Sequence, residues 1–131
     1  MEFVTFEIAK KLNEIGFDYP CIDAFNRFGC TYRNGWCEYL DDRNDEFITL
    51  ADLHEGDYLL PTISQVLKWL RENHNLHIST KPYPCEDGLM WMYEVRKFSS
   101  VLVCVVANKT GFQEPEQAAL AGIDYVLDNL I

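Results

Sequence analysis

The sequence predicts an α+β fold, an antiparallel sheet of about five strands with three helices packed on it, and three observations carry that expectation. From Pro61 to Asn75, Ile63, Val66, Leu67 and Leu70 recur at the spacing of one helical face, while Ser64, Lys68, Arg71 and Glu72 fall elsewhere. Leu89 to Phe98 alternates instead, with Trp91, Tyr93 and Val95 on one side and Met92, Glu94 and Arg96 on the other, as in a strand with one face in the core. Asn34-Gly35, between Thr31-Tyr32-Arg33 and Trp36-Cys37-Glu38-Tyr39, is the best hairpin signal, because both central positions of a type I′ turn need positive φ. A chain of 131 residues, 48% hydrophobic and 14% aromatic, can close one self-sufficient core, so a single domain over residues 1–131 is expected.

Taken in order, Thr5 to Ile15 reads as a first helix, with Ile8, Leu12 and Ile15 on one side and Gly16 placed to stop it. Phe17 can fold back onto its last turn. Cys21 to Arg27 reads as a strand of rough alternation that Phe25 interrupts. The acid-rich stretch from Asp41 to Asp57 holds one short apolar piece, Phe47 to Leu50, and has the composition of a loop or weak edge strand. Tyr58-Leu59-Leu60 leads into the central helix, where Thr62 and Gln65 form a capping-box pattern that satisfies helix-start donors. That helix ends by Asn75.

Leu76 to Thr80 follows as a strand, after which Pro82 and Pro84 restrict pairing and Asp87-Gly88 marks a turn. Ser99-Ser100 is a second turn. Val101 to Ala107 is β-branched and continuously apolar, which predicts a strand covered on both sides, closed by Asn108 to Gly111. The last helix starts at Pro115, a residue suited to the first helical position, and its expected buried stripe is Leu120, Ile123, Val126 or Leu127, and Leu130.

Charge excludes some functions. The net charge is −10, and between Glu38 and Asp57 eight acids face one base, Arg43, so most of the excess is local. Such a surface repels phosphate backbones and anionic lipid, which argues against direct nucleic-acid or membrane binding. No apolar run reaches the roughly 18 to 20 residues needed to cross a bilayer, and the start of the chain lacks the basic and apolar regions of an export signal, so a cytoplasmic location is expected. The five cysteines, Cys21, Cys30, Cys37, Cys85 and Cys104, are odd in number, which favours free thiols over a disulfide framework.

Chemistry-bearing patterns are weak. His74 and His77 have a ligand-like spacing, but it crosses a helix end and no Cys-x-x-Cys pair joins it, so helix-end polar caps are expected rather than a zinc site. Cys21, Cys30 and Cys37 would meet if their strands pair, and read as small core hydrophobes. A cysteine nucleophile needs a base in reach, and nothing in the spacing links Cys37 or Cys85 to His54, His74 or His77. Asp41, Asp42, Asp45 and Glu46 lack the glycine and the distant acid of an EF-hand, and read as a solvated acidic loop. No phosphate loop, nucleophile elbow or zinc-protease motif occurs, so no cofactor is expected. Trp36, Tyr39, Trp69, Trp91 and Tyr93 have the amphipathic rings that interfaces favour, although most are expected to fill the core.

The order α-β-β-β-α from the central helix onward resembles the double-stranded RNA-binding domain in element order alone. That family grips phosphates with basic residues at the start of its last helix, where this chain has Glu114, Pro115 and Glu116, so the function does not carry over. The segments Phe3 to Ala9, Pro61 to Arg71 and Glu116 to Leu130 resemble a group of small proteins of gut-type anaerobic bacteria and of their phages and mobile elements. The group has no known activity, so no catalytic residue carries over. The resemblance implies a cytosolic accessory role, phage-borne in some cases. The expectation is a non-enzymatic interaction or regulatory module with an unknown protein partner, and Trp36, Tyr39, Asp41, Asp42, Asp45, Glu46 and Trp91 as the candidate surface. The alternatives are an acidic mimic of nucleic acid that occupies a basic groove, and a small cysteine or metal enzyme.

Overall fold

The computed structural model describes residues 2–33, 48–50 and 53–131, in the order α1 (Phe6–Glu14), β1 (Asp23–Phe25), β2 (Thr31–Arg33), β3 (Tyr58–Leu60), α2 (Ile63–His74), β4 (Leu76–Cys85), β5 (Gly88–Phe98), β6 (Val103–Phe112) and α3 (Pro115–Asn129). The α+β class holds. The single sheet does not: the strands form two separate antiparallel sheets, ordered β2-β1-β3 and β4-β5-β6. Periodicity marks a strand but does not say which edge it offers to which neighbour, and the two sheets are an outcome of pairing choices of that kind. The chain divides into two compact units, Met1–Gln65 and Val66–Ile131.

In the first unit, Thr5 caps α1 by accepting the Ile8 N–H at 3.3 Å, and the Phe17 N–H returns to the Leu12 carbonyl at 3.0 Å, so the expected stop and fold-back are both present. Ile8, Ala9 and Leu12 are buried, and the Phe6 ring meets Phe25 edge-on at 5.2 Å and Tyr58 at 5.8 Å. The strand expected over Cys21 to Arg27 is only Asp23–Phe25, all three residues buried and both edges paired, with β2 and β3. Its turn to β2 went unread. Asn26 accepts the N–H groups of Phe28 and Cys30 through its side chain, at 2.9 and 3.0 Å, and folds residues 26–30 into a loop. Ile48 is buried and exchanges backbone hydrogen bonds with Cys21, at 2.6 and 2.9 Å. The Asn34-Gly35 turn and its second arm lie outside the described residues.

The capping box is built as expected, since Gln65 N–H donates to Thr62 Oγ1 at 3.1 Å and Thr62 N–H donates to Gln65 Oε1 at 2.9 Å. Along α2 the buried stripe is Ile63, Val66, Trp69 and Leu70, with Trp69 taking the place expected of the half-buried Leu67. Asn75 ends the helix at φ 55°, the left-handed region, and its carbonyl accepts the Phe98 N–H at 3.0 Å.

In the second unit β4, β5 and β6 form a meander, joined at Cys85↔Gly88 and Phe98↔Val103. β4 runs through Pro82 and Pro84 to Cys85 rather than stopping at Thr80, because an edge strand has one side on which no donor is needed. Leu76, Ile78, Tyr93 and Val95 are buried on the face that α3 covers. The side of α3 turned inward is smaller than expected. Ala118, Ala119, Gly122, Ile123, Val126 and Leu127 are buried, whereas Leu120 is half-buried and Leu130 exposed, because the helix lies too close to the sheet for a row of leucines.

Candidate functional site

The last strand overturns its expectation most clearly. The segment from Val101 to Ala107 is not covered on both sides, and β6 runs on through Asn108 to Phe112 as an edge strand that, among the described residues, pairs with β5 alone. Leu102 and Val103 are each 60% exposed, Val105 is 50% and Val106 40%. A meander of three strands has two edges by arithmetic, and only the middle strand is flanked on both sides.

The two edges of this sheet differ. β4 carries Lys81, Pro82 and Pro84, a charge and two residues that cannot donate, which are standard protections against strand addition. β6 has no proline and a single charge, Lys109. Two register shifts modify it: Val106 is the extra residue between Val105 and Ala107, and Gly111, at φ 100°, the extra residue between Thr110 and Phe112. Val103 to Val105, before the first bulge, and Ala107 to Thr110, between the two, keep regular pairing with β5, and no described strand pairs with the other side of β6.

Two hollows flank this edge within the second unit. One, of about 400 Å³, is lined by Asn73, His74, Asn75, Leu76, Lys97, Val106 and Leu130. The other, of about 210 Å³, is lined by Lys97, Phe98, Ser99, Leu102, Cys104 and Val106. Lys97 and Val106 belong to both. The His74 ring sits 4.7 Å from the Trp69 indole, which fixes the wall formed by the end of α2. The arrangement places apolar side chains and an ammonium group beside a strand edge that no second described strand pairs.

The sheet face turned away from α3 carries an ion-paired cluster, and Val105 of β6 lies opposite its Arg96. Arg96 donates to the Glu94 carboxylate from Nε, and Lys81 approaches it at 3.5 Å. The hydrogen bond from Arg96 holds the Glu94 carboxyl below the usual carboxylate range, with the Arg96 and Lys81 charges acting the same way.

Of the residues singled out in the sequence, Trp36, Tyr39, Asp41, Asp42, Asp45 and Glu46 lie outside the described residues, as does Cys37. Trp91 is half-buried on β5, opposite Pro82 and Phe112 and away from the valine-rich half of β6. Trp69 and Tyr93 are buried, as core residues are. Among the described residues no group of three or more His, Cys, Asp or Glu could hold a metal ion. His74 closes α2 and His77 lies on β4 opposite Arg96. Cys21 is buried, its thiol pushed up to about 12 by burial and by the Asp23 charge, so it holds its proton at neutral pH. Cys30, Cys85 and Cys104 are exposed free thiols, and Cys85 Sγ donates to the Gly88 carbonyl at 3.2 Å. No helix among the described residues is long and apolar enough to cross a membrane.

Sequence reasoning read Val101 to Ala107 as interior because its apolar run is unbroken. The signal that it is an edge lay in its neighbours: two tight turns, at Asp87-Gly88 and Ser99-Ser100, imply a meander, and prolines in the first strand mark that strand as one border. The other border is then the last strand. No family profile, curated protein or solved structure matches the chain.

Proposed function

We propose that this protein is a cytoplasmic, non-enzymatic protein-interaction module that takes an extended polypeptide segment along β6. The observation that carries the reading is the contrast between the β4 edge, which holds Pro82 and Pro84, and the β6 edge, which holds no proline and leaves Val103, Val105 and Val106 40 to 60% exposed. Strand addition supplies backbone hydrogen bonds of about 0.5–1.5 kcal/mol net apiece. Covering these three side chains and Leu102, also 60% exposed, adds about 3–6 kcal/mol gross. Association itself costs about 4–15 kcal/mol, so binding through this edge is reversible and of moderate affinity.

Peptide selection followed by NMR tests the reading. Ten-residue random peptides are selected on the wild-type chain and counter-selected on Val105→Lys, and the survivors are titrated into isotope-labelled protein. Apolar, extended peptides that shift the amide resonances of residues 101–110 support it. Selected peptides whose shifts map elsewhere would overturn it.

A further inference from the structure

We infer that the larger hollow, of about 400 Å³, is a binding site for a small monocarboxylate with a short apolar body. The inference goes beyond the reading of β6 as a peptide edge and does not depend on it, because the polar groups it uses stand on α2 and β5. Three properties of the hollow carry it.

The first is construction. Leu76 and Lys97 are cross-strand partners on β4 and β5, and Val106, the extra residue of the first bulge, lines the same space. The end of α2 and Leu130, which closes α3, complete the walls. Three contacts hold the α2 wall. The His74 ring lies 4.7 Å from the Trp69 indole, Asn73 Nδ2 donates to the Trp69 carbonyl at 3.1 Å, and the Asn75 carbonyl accepts the Phe98 N–H at 3.0 Å. A hollow framed by tied helix ends and paired strands has its shape before a ligand arrives.

The second is charge. No Asp or Glu lines the hollow, in a chain with 21 acids against 11 bases, and its one lysine is Lys97. Lys81 and Arg96 share the Glu94 carboxylate, whereas Lys97 is in no ion pair among the described residues. One ammonium matches one carboxylate. Phosphate sites use helix N-termini or arginine forks, and here α2 presents its C-terminal end, whose dipole opposes a second negative charge.

The third is size and lining. Leu76, Val106 and Leu130 supply apolar surface beside the His74 imidazole and the Asn75 amide. The volume lies near the lower end of the roughly 300–1,000 Å³ of ligand pockets, which limits the body to a single ring or a short chain.

NMR titration of the isotope-labelled full chain with 3-phenylpropionate and with hexanoate tests this. The controls are 3-phenylpropanamide, which keeps the shape without the charge, and inorganic phosphate, which has charge and no apolar body. The expected result is saturable binding of at least one carboxylate in the millimolar range, seen at the His74 ring and at the amides of Asn75, Leu76, Lys97 and Val106. Both controls should bind at least about tenfold more weakly. Lys97→Gln should weaken the carboxylate at least about tenfold and leave the amide unchanged. Lys81→Gln removes the same charge from the other sheet face and should alter neither by more than about twofold. Val106→Trp fills the hollow and should abolish both. Circular dichroism checks that the variants fold, which the exposure of Lys81, Lys97 and Val106 makes the expected outcome. The assignment is overturned if neither carboxylate shifts these resonances, if the amide or phosphate binds as tightly, or if Lys81→Gln weakens binding as much as Lys97→Gln. None of these results touches the reading of β6, which stands or falls on the selected peptides.

Discussion

A Cβ placed on Gly122 would lie 2.9 Å from Ile78 Cγ2, closer than real Cβ contacts come. The same atom would sit 3.2 and 3.3 Å from Tyr93 Cγ and Cδ1. Gly122 is what allows α3 to lie so near the β4–β5 pair, and both residues it meets are buried and cannot swing into solvent. Gly122→Ala gains about 0.8–1.0 kcal/mol of helix propensity. Against that, overpacking a tight core costs about 1–3 kcal/mol. The expected net is a loss of up to about 2 kcal/mol in urea unfolding, and a gain in stability would show that α3 can rise from the sheet without penalty.

Asn75 tests the junction at the end of α2. Its φ of 55° is costly for a residue with a Cβ, less so for asparagine, whose short side chain tolerates the left-handed region. Asn75→Ala should therefore destabilise by about 1 kcal/mol, and Asn75→Gly should be neutral or slightly stabilising. Equal losses for both would mean that the asparagine side chain, not the backbone angle, supports the site.

Local code was legible where the determinants are local. The Thr62–Gln65 capping box and the start of α3 at Pro115 depend on residues within one turn of helix, and the sequence states them outright. Long-range pairing was not. Nothing near Tyr58 says that it will border Phe25, and nothing inside Val101 to Ala107 says that one side stays open, since an apolar strand reads the same whether buried or at a border. The stripe of α3 was misjudged for a related reason: hydrophobicity ranks leucine above alanine and glycine, whereas a close helix-to-sheet approach selects small residues, and Ala118, Ala119 and Gly122 took those places.

The open edge has a consequence for solution behaviour. Apolar, unpaired edges promote edge-to-edge aggregation, and a lysine on such a strand suppresses it. Val103 is 60% exposed, so Val103→Lys should leave stability within about 0.5 kcal/mol while slowing aggregation at elevated temperature several-fold. Turbidity and thioflavin fluorescence on heating follow this. The control is Phe28→Lys, which alters a still more exposed apolar residue, 77%, in the turn between β1 and β2, and it should change neither signal.

Cys21 ties stability to alkaline pH. Its thiol ordinarily loses its proton near 9.0 but in the fold is pushed up to about 12, first by burial and then by the Asp23 carboxylate. The folded chain therefore holds this proton more tightly than the unfolded chain, and the unfolded state binds fewer protons between those two values. Stability from this group is fully present below pH 9.0 and declines as pH rises toward 12. Urea unfolding of wild type should thus lose stability above pH 9.0 more steeply than Cys21→Ala, even though the alanine variant starts lower for want of the buried sulfur. Thiol labelling at neutral pH gives the second readout: Cys30, Cys85 and Cys104 react at once, and Cys21 reacts only on unfolding. Fast labelling of Cys21 in the native chain, or parallel pH profiles for the two proteins, would mean that its surroundings admit water and that the thiolate is not penalised there.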